Sequence, residues 1–136
     1  MKRDLTGEFR NQPEPFSSLV GLEIEEVRPD FCRMRLPFRS QLRTAGPVVH
    51  GGAIATLIDT AAVVAVWSNA DPKATRGATA SMTVHYLAAA QSVDLIAEAQ
   101  IIRRGRSVVF ADVDVFSPAD ERIAKGLVTY KLGYSR

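Results

Sequence analysis

Cysteine is almost absent: Cys32 is the only one in 136 residues. That excludes an intramolecular disulfide and a zinc site built on thiolates, and it leaves Cys32 as a small hydrophobe in a strand. Histidine is nearly as scarce. His50 and His85 lie far apart and share no ligand spacing, so no metal site is expected. An excess of one charge is missing too, since Lys and Arg number 17 against 15 Asp and Glu, a net +2, with no run of five like charges. With aromatics at only 7%, the chain has neither the basic field nor the stacking rings of a nucleic-acid binder. An unbroken apolar run of membrane length is also lacking. The longest candidate, Ala53 to Trp67, starts after a glycine pair and is interrupted by Thr56, Asp59 and Thr60, which makes it a core helix and not a membrane span. No apolar stretch follows the charged Met1-Lys2-Arg3-Asp4 start, so no signal peptide is expected and a cytoplasmic location is the default.

What remains is the composition of a soluble globular chain, 46% apolar and 24% charged, of a size for one domain. Residues 1–15 are polar, end in Pro13-Glu14-Pro15 and are expected to be a flexible start; residues 16–136 form the domain. Phe16 to Val20 reads as a short helical turn with Ser17 or Ser18 near its cap. Leu22 to Val27 and Phe31 to Leu36 read as a hairpin, the second strand alternating apolar and basic residues. The long helix is expected from Gly52 to Asn69, closed by Asp71-Pro72. Four strand-like runs follow, Gly77 to Leu87, Val93 to Arg103, Ser107 to Phe116 and Arg122 to Leu132, joined by short connectors. Short connectors mean antiparallel neighbours.

A helix apolar on nearly every face must be covered on nearly every face. One helix between two strands and four strands therefore predicts an α+β domain, a long central helix wrapped by a curved antiparallel sheet of about six strands. Such a sheet has open edges and leaves one side of the helix bare, which a second copy would cover.

This order of elements, with Val49-His50-Gly51-Gly52 and then Thr56-Leu57-Ile58-Asp59-Thr60-Ala61, resembles the hotdog-fold acyl-CoA thioesterases, specifically the PaaI-like (phenylacetyl-CoA thioesterase-like) group. Supporting matches are Ala80 to Ala88 and Arg104-Gly105-Arg106-Ser107; the resemblance spans Phe16 to Leu132. It implies hydrolysis of an acyl-CoA thioester to CoA and a free acid. The Gly51 amide would bind the thioester carbonyl, with Gly52 beside the substrate. Asp59 of the partner chain would be nucleophile or general base. His50 would support the turn and orient the carbonyl, and Thr79 would stand near the nucleophilic water. Arg104, Gly105, Arg106 and Ser107 would face the CoA nucleotide and its phosphates. No separate cofactor is implied, CoA being part of the substrate, and the assembly implied is a homodimer or a dimer of such dimers. Many relatives carry Asn or Gln six residues before the motif histidine, where this chain has Thr44. A hydroxyl is shorter and donates one hydrogen bond where an amide donates two. Either another residue does that work, or activity is low, or the substrate differs.

The residues themselves support the helix end as a site. A helix N-terminus offers unpaired N–H groups and a positive dipole end. Asp59 needs more than one hydroxyl, and within its helix only Thr56 has the spacing to reach it. Gly51 and Asp59 are about 12 Å apart at roughly 1.5 Å of rise per residue, too far to flank one carbonyl from a single chain. His50 either braces the turn or assists the chemistry. The alternative to an enzyme is a weakly catalytic or non-catalytic hotdog protein that binds acyl-CoA or an aromatic acid. A hydratase fits the motif less well.

Overall fold

The computed structural model describes residues 14–135. In chain order they form helix α1 (Pro15–Val20), strands β1 (Glu23–Arg28) and β2 (Phe31–Leu36), a short 3-10 turn at Ser40–Leu42, helix α2 (Gly51–Trp67), and strands β3 (Ala74–Tyr86), β4 (Leu95–Arg104), β5 (Val108–Phe116) and β6 (Arg122–Tyr134). The strands make one sheet in the order β1-β2-β4-β5-β6-β3, antiparallel at every pairing. α2 lies across its concave face.

Period-2 alternation explains the sheet. On β4 Leu95, Ala97 and Ala99 are buried, and on β5 Val109, Ala111, Val113 and Val115 are, while Asp112 and Asp114 point outward. The helix side of this core is small: Ala61, Ala62 and Ala65 join Ala97, Ala99 and Ala111 in one buried cluster. Small side chains let helix and sheet approach closely. At Gly126 of β6 a Cβ would stand 2.5 Å from Ile58 Cγ2, so only glycine leaves α2 at this distance. Cys32 is wholly buried, and burial pushes its thiol up to about 12, which makes it inert.

The first helix differs from its reading. Residues 1–13 of the segment expected to be flexible lie outside the described residues; Glu14 is the N-cap of α1 and Pro15 its first residue. The cap is Glu14, not Ser17 or Ser18: its carboxylate accepts from the N–H groups of Phe16 and Ser17 and from Ser17 Oγ at 2.6 Å. A side chain that satisfies two helix-start amides outcompetes a single hydroxyl. The Ser17 hydroxyl bond, then the backbone bonds, outweigh partial burial and hold this carboxyl below its usual range. α2 stops at Trp67, short of Asn69, because Ser68 Oγ turns back to the Ala65 carbonyl at 2.6 Å and accepts from the Asp30 N–H at 2.9 Å.

One side of α2 is left bare, as expected from the sequence: Gly52 is exposed, and Thr56, Asp59, Thr60 and Val63 are half-buried, a stripe at helical spacing. The cause is β3. It is 13 residues long, exposed at nearly every position, and among the described residues it pairs only with β6. The sheet therefore ends there without closing over the helix.

Candidate active site

The loop leading into α2 is held on both sides. His50 N–H donates to the Leu42 carbonyl at 2.7 Å, Thr44 N–H to Val48 at 2.8 Å, and Val49 N–H to Ala90 at 2.9 Å. His50 is the N-cap, and its Nδ1 accepts from the Gly52 N–H at 2.8 Å. That bond assigns the ring proton to Nε2. Gly51 is the first helical residue, and its N–H has no acceptor among the described residues. Its carbonyl accepts from the Tyr86 hydroxyl at 2.9 Å. A Cβ on Gly51 would sit 3.2–3.4 Å from the Tyr86 ring and hydroxyl, so the ring packs directly on the glycine backbone.

Beside this helix start lies a cleft of about 440 Å³, lined by Thr44, Val48, Val49, Gly51, Ile54, Tyr86, Leu87 and Ala88 to Ala90. Its walls are apolar apart from the Thr44 and Tyr86 hydroxyls. Thr44 itself is exposed, and its Oγ1 takes only a long 3.4 Å contact from the Gly46 N–H.

Asp59 stands two turns further on, along the half-buried stripe. Thr56 does not serve it. Thr56 Oγ1 donates to the Gly52 carbonyl at 2.8 Å, and Thr60 Oγ1 to the Thr56 carbonyl at 2.7 Å, the usual back-bonding of helical threonines. The partner comes from β3: Thr79 Oγ1 donates to Asp59 Oδ1 at 2.6 Å. Strict alternation would put Thr79 on the face of Ser81 and Thr83. A register shift between Thr79 and Ser81 turns it to the helix side with Met82, Val84 and Tyr86, as β-bulges do.

The turn between β4 and β5 sits at the other end of α2. Arg104 is committed there. Its Nε and Nη2 donate to Asp30 Oδ1 at 3.1 and 2.9 Å, and Nη2 also donates to the Val66 carbonyl at 2.8 Å. It therefore clamps the helix C-terminus to the β1–β2 turn while also lining the cleft beside it. Arg106 is exposed, its guanidinium 4.3 Å from the centre of the Tyr134 ring, with no acidic partner among the described residues. The Gly105 N–H donates to Val108 at 2.9 Å, and the Ser107 carbonyl accepts from Leu132 at 2.7 Å. Asn69, Asp71, Arg104, Gly105, Arg106 and Tyr134 border a second cleft of about 570 Å³.

A sequence model of the thioesterase superfamily matches residues 46–124, from just ahead of His50 into β6. The chain belongs to the thioesterase superfamily. A protein of Halobacterium salinarum named as a candidate esterase is 41% identical over 107 residues, covering 76% of this chain and 70% of that one. The medium/long-chain acyl-CoA thioesterase YigI of Escherichia coli is 28% identical, over 95% of this chain and 92% of its own. The crystal structure of zebra fish thioesterase superfamily member 2 superposes with a TM-score of 0.81 at 27% identity, covering 95% and 94% of the two chains. The fold is the hotdog fold expected from the sequence.

Within one thioesterase chain the expected site residues fall into three places along α2. His50, Gly51, Gly52 and Thr44 gather at its N-terminus, Asp59 and Thr79 meet mid-way, and Gly105, Arg106 and Ser107 lie past its C-terminus. His85 is exposed on the outer face, opposite Lys125. Among the described residues no group of three His, Cys, Asp or Glu side chains is placed to hold a metal, and no helix is long and apolar enough to cross a membrane. Tyr86 is the neighbour of Gly51 that the sequence alone did not bring to the site. Its signal was a phenol at a strand end, since a tyrosine hydroxyl on a packed ring seeks a partner.

Proposed function

We propose that this thioesterase hydrolyses acyl-CoA esters with an apolar acyl group, at a site built from two copies of the chain. The observation that carries the reading is the unpaired Gly51 N–H at the start of a helix whose open stripe also presents Asp59. The thioester carbonyl oxygen accepts from Gly51 N–H, where the helix dipole and a preorganised donor stabilise the negative charge that develops on attack. Asp59 of the second copy, oriented by its own Thr79, acts as nucleophile or activates water, and CoA leaves as the thiolate. The apolar walls from Val48 to Ala90 receive the acyl group, a lining that suits the hydrocarbon chains named for the relative from E. coli and the aryl groups of the PaaI-like enzymes. Arg106 and the Gly105 turn receive the nucleotide.

The test is thiol release from a panel of acyl-CoAs by wild type, Asp59→Asn and Asp59→Ala. Both variants should lose at least 10²-fold in kcat, on the order expected for an essential acid–base or nucleophilic group. Equal rates in wild type and Asp59→Ala would remove Asp59 from the mechanism. The Thr44 substitution favours the second reading, an acyl-CoA binding protein; binding of acyl-CoA with no thiol release from any ester by wild type would establish that instead.

A further inference from the structure

We propose that Tyr86 is a positioning residue for the oxyanion-binding amide, acting through the peptide that joins Gly51 to Gly52. The inference rests on the thioesterase reading of the site and adds to it the device that aims the donor. Two consecutive glycines give a helix start no side chains of its own to stiffen it. An oxyanion donor must nevertheless be held to within roughly 0.5 Å of the productive position.

The structure meets this by gripping one peptide group from both polar ends. The Gly52 N–H is held by His50 Nδ1 at 2.8 Å, and the Gly51 C=O by the Tyr86 hydroxyl at 2.9 Å. The Tyr86 ring adds a steric stop against the Gly51 backbone. The Gly51 N–H belongs to the preceding peptide, whose His50 carbonyl accepts from the Ala53 and Ile54 N–H groups at 2.9 and 3.3 Å. With the peptides on both sides of the Gly51 Cα held, that N–H, which has no acceptor among the described residues, is restricted in direction. Tyr86 is well placed to act as an anchor. It is the last residue of β3, in register with Ala124, and the next residue's N–H donates to the Ile123 carbonyl at 2.8 Å. At 54% exposure it contributes little to the core, so its hydroxyl can be removed without unfolding the chain.

The experiment uses the full chain with Tyr86→Phe, which keeps the ring and deletes only the hydroxyl. Steady-state kinetics on the acyl-CoA panel are paired with amide hydrogen exchange at Gly51 and Gly52, read by ¹⁵N NMR. Losing an oxyanion donor outright costs about 10²–10³-fold in kcat, and loosening one should cost about 5–30-fold, with KM changed less than about twofold because the interaction matters chiefly in the transition state. Exchange at Gly52 should accelerate while the melting temperature stays within about 2 °C. A kcat within twofold of wild type overturns the proposal, as does a loss shared by kcat, KM and melting temperature, which would mark a merely structural tyrosine. If wild type hydrolyses no ester, the thioesterase reading fails by itself; Gly52 exchange then decides the clamp, faster exchange in Tyr86→Phe upholding it and unchanged exchange overturning it.

Discussion

Replacing Thr79 with valine tests how the acidic group is held. Valine matches threonine in shape and deletes only the hydroxyl that donates to Asp59 Oδ1 at 2.6 Å. A hydrogen bond to a charged group contributes about 1.5–3 kcal/mol; Asp59 is half-buried and the strand is an open edge, so the lower end applies, and part of it is recovered from water. The fold should therefore lose about 1 kcal/mol or less. The effect on turnover should be larger. Neither Thr56 nor Thr60 can replace the lost donor, because their hydroxyls are already donated to helix carbonyls. The carboxylate then loses its fixed rotamer, and kcat should fall about 10–100-fold, equivalent to about 1.4–2.7 kcal/mol of barrier. The assay is thiol release at saturating acyl-CoA, with urea unfolding alongside. Thr79→Ser, which restores the donor, should recover most of the rate. A Thr79→Val enzyme with kcat within twofold of wild type would refute the orienting role and leave the bond as incidental.

The two arginines of the β4–β5 turn should separate cleanly. Arg106→Ala should raise KM for CoA esters several-fold with stability unchanged, whereas Arg104→Ala, which removes the donor to the Val66 carbonyl and leaves Asp30 Oδ1 only the 3.3 Å bond from Asn69, should lower stability by about 1–3 kcal/mol; denaturant midpoints and KM for each variant distinguish them. On the outer face, Lys125 lies between Asp112 and Asp114. Burial works against its charge, but the hydrogen bonds and charges of the two aspartates prevail and raise it above the usual lysine range. Its contribution is therefore complete below the unfolded lysine value of about 10.4 and fades as pH rises through the higher folded value. Melting curves of wild type and Lys125→Met should differ most near pH 8 and converge in strong alkali.

The fold was readable because its signals are local. Alternating apolar residues in Val109 to Val115, short connectors and one apolar helix behind a glycine pair fix which faces meet, and those faces leave few arrangements. The candidate site was readable only where it shares that locality, as with His50, Gly51 and Asp59. Thr79 was placed near the chemistry by resemblance, but its contact with Asp59 depends on a bulge that sequence parity conceals. Arg104 looked like its neighbour Arg106 because the acid that claims it, Asp30, is 74 residues away. Tyr86 reaches Gly51 across 35 residues. Each of these contacts is tertiary, and a period of 2 or 3.6 carries no information about it.

The three groups strung along α2 argue for how two copies would meet. The helix has 17 residues, about 26 Å of length, with Gly51 at one end, Asp59 near the middle and the Arg106 turn beyond the other end. At about 12 Å apart along the helix, Gly51 and Asp59 of a single chain cannot flank one thioester carbonyl. Pairing of two β3 edges about a twofold axis would satisfy the unpaired edge, and it would run the two helices antiparallel. Gly51 of one copy then moves toward the Asp59 stripe of the other, with the other copy's Arg106 further along the same line. That order, oxyanion donor, carboxylate, cation, is the order of carbonyl, reacting bond and phosphates in an acyl-CoA. The half-buried stripe of Thr56, Asp59, Thr60 and Val63 would also be covered by the same contact. An edge-directed substitution such as Met82→Pro, which cannot donate to a neighbouring strand, should therefore abolish dimer and turnover together, measured by sedimentation and thiol release; a monomer that kept its full rate would refute the shared site.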